Sequence, residues 1–165
     1  MVIKNKIKNW DEAAFLASEL QAQGGKVVFT NGCFDLIHAG HVQYLEQAKA
    51  LGDVLIVGMN SDSSVRGLKG KTRPLVKEED RAMVLAALQS VDIVVVFNQE
   101  TPLKLIEHIR PDVLVKGGDW EPGQIVGADF VLAGGGLVKS LPFREGISTT
   151  DLIKRAAILA EKEKK

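Results

Sequence analysis

The segment Thr30-Asn31-Gly32-Cys33-Phe34-Asp35-Leu36-Ile37-His38-Ala39-Gly40-His41 gathers two glycines, a carboxylate and two histidines three residues apart. It lies where the apolar run Val27-Val28-Phe29 gives way to a helical pattern. A strand end that feeds a helix start exposes free backbone N–H groups and the positive end of the helix dipole, and there α/β proteins bind phosphates. Histidines at i and i+3 project from one face of the helix start. An imidazole donates to a phosphoryl oxygen whether neutral or charged. Gly40, between them, lets a phosphate approach the backbone with no Cβ in the way. The group as a whole points to a phosphate that reacts, not one that is merely held. The plainer alternative is that one histidine caps the helix and the other is half-buried. A metal centre with Asp35 as third ligand finds no further His or Cys cluster to complete it, so no dedicated metal ligand is expected.

The elements that must position this turn are read from periodicity. Trp10, Ala13, Ala14, Leu16, Ala17 and Leu20 recur at helical spacing, and Gly24-Gly25 ends that helix. Five short apolar runs follow, Val27–Phe29, Val54–Met59, Ile93–Phe97, Val113–Val115 and Leu137–Leu141, each the length of a strand buried on both faces. Helical stretches separate them at roughly 40–51, 77–89, 102–110 and 124–133, and a last helix begins near Thr149. This alternation predicts an α/β fold, a single Rossmann-like doubly wound domain over 1–165 with a mainly parallel five-stranded sheet. Residues 161–165 read as a charged tail that frays. Ligands of such sheets bind beyond the strand carboxyl ends, where strand order reverses, so the glycine–histidine turn belongs in that crevice.

Composition narrows the classes of partner. Lys+Arg and Asp+Glu each number 21, which leaves no bulk charge for nucleic acid or an anionic membrane. Cys33 is the sole cysteine, which excludes an internal disulfide or a cysteine-rich zinc site. No stretch reaches the ~18 apolar residues of a membrane span, and Met1–Trp10 lacks the apolar core of a signal peptide. The expected setting is cytoplasmic, with no nucleic-acid or membrane partner.

Gly32-x-Phe34-Asp35-x-x-His38-x-Gly40-His41 resembles the signature of the HxGH nucleotidyltransferases, and Glu145-Gly146-Ile147-Ser148-Thr149-Thr150 resembles the late Ser-Thr-Thr signature of their cytidylyltransferase-like branch. The two motifs, roughly a hundred residues apart, are expected at opposite ends of one sheet. Asn60–Gly70, Arg73-Pro74, Glu79-Asp80-Arg81-Ala82 and Val113–Asp119 are similar to the D-glycero-β-D-manno-heptose 1-phosphate adenylyltransferases over residues 10–155. In many bacteria this domain is fused behind a sugar kinase; the chain resembles the stand-alone form. Ala39 replaces a frequent proline, and Trp120 stands where tyrosine is usual.

The resemblance implies transfer of AMP from ATP to a sugar 1-phosphate, with Mg²⁺ accompanying the nucleotide and no covalent enzyme intermediate. His38, His41 and Lys69 take the catalytic roles, Lys69 from a mobile Gly-rich loop whose alternative is a solvated basic turn. Asn31, Gly32, Cys33, Phe34, Gly40, Asp92, Gly146, Ser148, Thr149 and Thr150 are assigned to the nucleotide; the last three would otherwise be an ordinary helix cap. Asp35, Asn60, Asp62, Arg73, Arg81, Lys116, Asp119 and Trp120 are assigned to the acceptor. Asp35 is equally suited to holding a loop, and Arg81 to a surface ion pair with its acidic neighbours. Cys33 packs through its backbone, and Met59 and Met83 belong to the core. The family's habit and the exposed-looking first helix favour a homodimer. Alternatives are cytidylyl transfer to glycerol 3-phosphate, adenylyl transfer to FMN, and a non-catalytic nucleotide sensor.

Overall fold

The computed structural model describes residues 3–118, 120–142, 144 and 146–162. Six parallel strands, β1 (Ile7–Lys8), β2 (Val27–Gly32), β3 (Val54–Asn60), β4 (Ile93–Phe97), β5 (Val113–Gly117) and β6 (Leu137–Leu141), form one sheet in the order β1-β4-β3-β2-β5-β6. The sixth strand is the two-residue edge strand β1, which carries no apolar run and was therefore silent in the sequence. Alternation along the central strands sends Val27, Phe29 and Ile56 to one face and Val28, Leu55 and Val57 to the other. Helices cover both faces, so each apolar run is continuous rather than alternating with polar residues. On the first face lie α1 (Trp10–Ala22), α5 (Leu103–Ile109) and α6 (Ala128–Ala133); on the second, α2 (Ala39–Lys49) and α4 (Glu78–Ala87).

Local chemistry sets the helix ends. Asn9 and Glu12 form a reciprocal capping box at the start of α1, with both bonds 2.9 Å. Its C-terminus closes through Gly25 N–H to Leu20 C=O, with Gly24 at φ +82°. The segment read as a mobile loop after β3 is instead the helix α3 (Asp62–Lys69), capped by Ser61, with Lys69 as its last residue. Its Ser- and Gly-rich sequence buries only Ser64 and Val65, too few for a helical stripe. A last helix, α7 (Thr149–Lys162), has no buried residue. Met59 is fully buried as expected, whereas Met83 is 43% exposed and is not core. Among the described residues no helix is long and apolar enough to cross a membrane.

Carboxylates close the amino ends of the strands. Asp112 accepts from Val27 N–H, Asp53 from Lys26 N–H, and Asp92 from Leu55 N–H and the Lys49 ammonium, the last two at 2.7 Å. This corrects the assignment of Asp92 to the nucleotide: it lies at the pole of the sheet opposite the strand carboxyl ends. Asp92→Ala removes the carboxylate that accepts from Leu55 N–H and pairs with Lys49, leaving the Lys49 ammonium, among the described residues, only its bond to Asp53 C=O. It is expected to lower the unfolding free energy by about 1–2 kcal/mol in urea titration, and an unchanged midpoint would contradict this role.

Candidate active site

Strand order reverses beside β2, with β3 and β4 to one side and β5 and β6 to the other. Beyond the carboxyl ends of β2 and β5 opens a crevice of about 450 Å³, within the range of small-molecule sites. Its walls include Asn31, Gly32, Cys33, Phe34 and Asp35 from the turn after β2, and His41 from the first turn of α2. Asn60, Lys69 and Arg73 close one flank, Lys116 the other, and Thr149 and Thr150 of α7 complete it. Trp120 lines an adjoining chamber of about 200 Å³. Its indole N–H donates to Gly117 C=O at 3.1 Å.

The two signatures do not sit at opposite ends of the sheet; the fold brings them into contact. Thr149 Oγ1 donates to Leu36 C=O at 3.3 Å. A Cβ on Gly40 would stand 3.0 Å from the His38 ring and 3.4 Å from Ile147 Cγ2. Gly40 thus serves to admit the imidazole and the isoleucine rather than to open the backbone to a phosphate. Ser148 caps α7, accepting from Asp151 N–H at 3.1 Å and donating to the Asp151 carboxylate at 2.7 Å. Ser148 and Gly146 therefore stand at the helix start without lining the crevice, and His38 and Gly40 line a smaller pocket beside it.

Phe34 adopts φ +47°, a left-handed conformation unusual for a bulky residue. It lays its ring 5.5 Å from the His41 ring. The His38 and His41 rings lie 3.9 Å apart. His38 N–H points at His41 Nδ1 at 3.4 Å, making Nδ1 an acceptor and placing the proton of a neutral ring on Nε2. Burial, then the nearby His38 and Lys69, push the His41 pKa down to about 4, and burial also lowers that of His38. Both imidazoles are thus neutral donors near pH 7 in the ligand-free site.

Asp35 is structural. Burial alone would raise its pKa, but Val76 N–H, Leu75 N–H and the Arg73 guanidinium together hold it below the usual carboxylate range. One of its oxygens takes both N–H groups, and the other takes Arg73 Nε at 2.6 Å. Arg81 is neither a surface ion pair nor an acceptor ligand: its side chain is fully buried. It donates to Val76, Cys33 and Asn60 carbonyls at 2.9, 2.5 and 2.8 Å and to Asp62 at 2.8 Å. Asp62, spent on this bond, lies outside the crevice. Burial lowers the Lys116 pKa despite Cys33 beside it, and the ammonium reaches Asn31 Oδ1 at 3.5 Å. Burial raises that of the Cys33 thiol, outweighing four nearby cations, so it stays protonated. Asp119 lies outside the described residues. Sequence reasoning missed Tyr44, whose hydroxyl is 2.6 Å from Thr30 Oγ1, and Glu100, Thr101 and Pro102 of the loop after β4. Their signal was positional alone: that loop also follows a strand carboxyl end.

The cytidylyltransferase-like family model matches residues 29–155, spanning both signatures. The chain belongs to the cytidylyltransferase-like family. Within it, the chain is 55% identical over 150 residues to the bifunctional protein HldE of Geobacter metallireducens, with 91% of this chain aligned to 31% of that one. To the bifunctional protein HldE of Wolinella succinogenes it is 54% identical over 152 residues, 92% against 31%. The chain spans about a third of the length of the curated relatives it matches. Among solved structures, the lipopolysaccharide core biosynthesis protein from Thermoplasma volcanium superposes with a TM-score of 0.59 at 29% identity, over 73% of this chain and 98% of that one. The pantoate-β-alanine ligase from Francisella tularensis gives 0.57 at 18% identity, over 88% and 74%, a likeness of fold alone. In this cytidylyltransferase-like chain the turn that carries His38 and His41 follows β2, where strand order reverses.

The depressed His41 pKa has a consequence for stability. The unfolded chain takes up its proton near the ordinary pKa of 6.5 and the folded chain only near 4, so stability falls as pH falls through that window. Asp35 adds its own loss at lower pH, beginning as the unfolded carboxyl protonates in the usual carboxylate range and continuing down through its depressed folded pKa. Because the ring is partly exposed, the loss from His41 is about 1–2 kcal/mol. His41→Gln should flatten this slope in urea titrations between pH 7 and 4.5; parallel slopes for the two proteins would refute the assignment.

Proposed function

We propose that the chain is an adenylyltransferase that moves AMP from ATP to D-glycero-β-D-manno-heptose 1-phosphate. The products are ADP-heptose, for the heptose-containing core of a surface glycan such as lipopolysaccharide, and pyrophosphate. The observation that carries the reading is one crevice uniting His41, Lys69, Lys116 and the start of α7 at the reversal of strand order. The names of the relatives, bifunctional HldE and a lipopolysaccharide core biosynthesis protein, support the choice of acceptor.

In the proposed reaction an oxygen of the sugar 1-phosphate attacks the α-phosphorus of ATP in line. A new P–O bond forms, the bond to the β-phosphate oxygen breaks, and its electron pair leaves with pyrophosphate. A phosphate nucleophile is already anionic at neutral pH, so no general base is required. His41 donates Nε2–H to an α-phosphoryl oxygen, while Lys69 and Arg73 bring permanent charge where two anionic substrates meet. Thr149 and Thr150 offer hydroxyl and N–H groups at the start of α7. Among the described residues no three His, Cys, Asp or Glu side chains converge on a metal site, and both Asp35 oxygens are spent on the chain. Mg²⁺ is accordingly proposed to be held by the nucleotide phosphates, where it supplies charge neutralisation. We further propose a cytoplasmic homodimer formed through α1, whose Phe15 is 63% exposed.

Purified protein with Mg²⁺ is expected to release pyrophosphate from ATP and the heptose 1-phosphate. CTP with glycerol 3-phosphate, or ATP with FMN, should give far less. Faster turnover with either of those pairs, or none with the heptose phosphate beside an active control enzyme, would sink the reading. His41→Ala and Lys69→Ala should each lower kcat/KM by about 10²–10³-fold, without loss of secondary structure by circular dichroism.

A further inference from the structure

On the proposed reading the crevice receives two phosphate-bearing substrates, and Lys69, Arg73 and Lys116 line it. Among the described residues two carboxylates line it as well, Asp35 and Glu100. Both Asp35 oxygens are spent on Arg73, Leu75 and Val76. Glu100 is exposed, and its side chain has no hydrogen-bond or ion-pair partner among the described residues. An ionised carboxylate only accepts hydrogen bonds, and it repels a phosphate. It favours binding here only through donors on the ligand, and the donors of a sugar phosphate are its hydroxyls. The loop that carries Glu100 is held on both sides. Gln99 C=O accepts from Ser64 Oγ at 2.9 Å, and Ser64 Oγ accepts from Asn60 Nδ2 at 2.9 Å. Pro102 is buried at the start of α5. These bonds join Glu100 to the flank of the crevice formed by Asn60 and Lys69, on the β3 and β4 side of β2. The chamber at Trp120, on the β5 side, is lined by Pro102 but not by Glu100.

We propose that Glu100 recognises the acceptor: its carboxylate accepts hydrogen bonds from hydroxyls of the sugar 1-phosphate. In this role it touches no reacting atom and sets acceptor affinity, not the rate of phosphoryl chemistry. The inference rests on the proposed transfer to a sugar phosphate and adds to it the residue that reads the sugar. The sign of the effect separates this role from that of a solvated side chain. Removing a bystander carboxylate from an anion site relieves repulsion, which tightens every anionic ligand or leaves it unchanged. Removing a hydroxyl acceptor weakens the sugar phosphate alone.

The test is equilibrium binding of D-glycero-β-D-manno-heptose 1-phosphate, ATP and inorganic phosphate to the wild-type chain, Glu100→Ala and Glu100→Gln. Glu107→Gln, at an exposed glutamate of α5 that does not line the crevice, serves as control. Glu100→Ala should weaken the heptose phosphate by about tenfold or more. It should leave ATP within about twofold and bind inorganic phosphate no worse. Glu100→Gln, which keeps one acceptor oxygen, should fall between, and Glu107→Gln should match the wild type. Heptose phosphate held as tightly as before, or more tightly, overturns the assignment. An equal loss for ATP overturns it too, by placing Glu100 on the nucleotide. Binding is measured without turnover, so the two readings separate. Lost affinity in Glu100→Ala beside a wild type that makes no ADP-heptose would sink the proposed reaction alone. Synthesis with indifferent Glu100 variants would sink this inference alone, and a heptose phosphate that the wild type does not bind would sink both.

Discussion

The carboxyl end of the sheet is organised around one buried cation. Arg81 reaches four separate stretches: the turn after β2 through Cys33, the end of β3 through Asn60, the start of α3 through Asp62, and the segment before α4 through Val76. Burying a guanidinium costs several kcal/mol unless its donors find acceptors. Here Nε and both terminal nitrogens are engaged, three of the four bonds with carbonyls that would otherwise need partners of their own. Asp35 is its counterpart of opposite sign, strapping residues 73–76 to the same turn. Between them these two charges fix the loop that carries Phe34, and Phe34 in turn supports the His41 ring. The positive φ of Phe34 costs on the order of 1 kcal/mol, which a braced turn sustains and a free one would relax.

The strands were legible in sequence because helices bury both sheet faces, which makes each strand a continuous apolar run. What failed to show is what makes no pattern. β1 is two residues long, and α3 buries too little to mark a stripe. The site divides on the same principle. Residues on the turn after β2 were placed by their position at a strand end, and Asn31 to Asp35 and His41 do line the crevice. Arg81 misled because Glu78, Glu79 and Asp80 precede it on the helix, as on a solvated face, yet the helix turns its arginine inward. Local charge pattern does not report which side of a helix faces the core when the buried residue is itself charged. Asp92 misled for a related reason: a carboxylate beside a strand reads alike at either pole of the sheet.

Neutral histidines alter the electrostatic logic of the site. A pair of imidazolium rings 3.9 Å apart would repel one another, and the burial that lowers both pKa values removes that conflict. What remains is a directional donor, His41 Nε2–H, oriented by the bond at Nδ1. Such a donor stabilises charge that develops on a phosphoryl oxygen and costs little reorganisation when it does. Permanent charge then has to come from lysine and arginine: Lys69 is exposed, Arg73 is tied to Asp35, and Lys116 is held half-buried beside Asn31.

Contact between the two signatures explains how a lightly anchored helix serves such a site. No residue of α7 is buried, and its start is tied to the turn through Thr149 with Leu36 and through Ile147 against Gly40. Helix α7 therefore gains little stability from packing, and one turn's worth of contacts positions its N–H groups. On the proposed reading the triphosphate spans from His41 to those N–H groups. Its binding energy then adds to the docking of α7, because a ligand that favours the docked form shifts the equilibrium towards it by its differential affinity. On that reading, the rigid part of the site, braced by Arg81 and Asp35, would hold the reacting phosphate, and the weakly packed part would meet the phosphates that leave. This division gives firm geometry at the reacting centre and an exit for product on the side of the fold that opens with the smallest loss of buried contact.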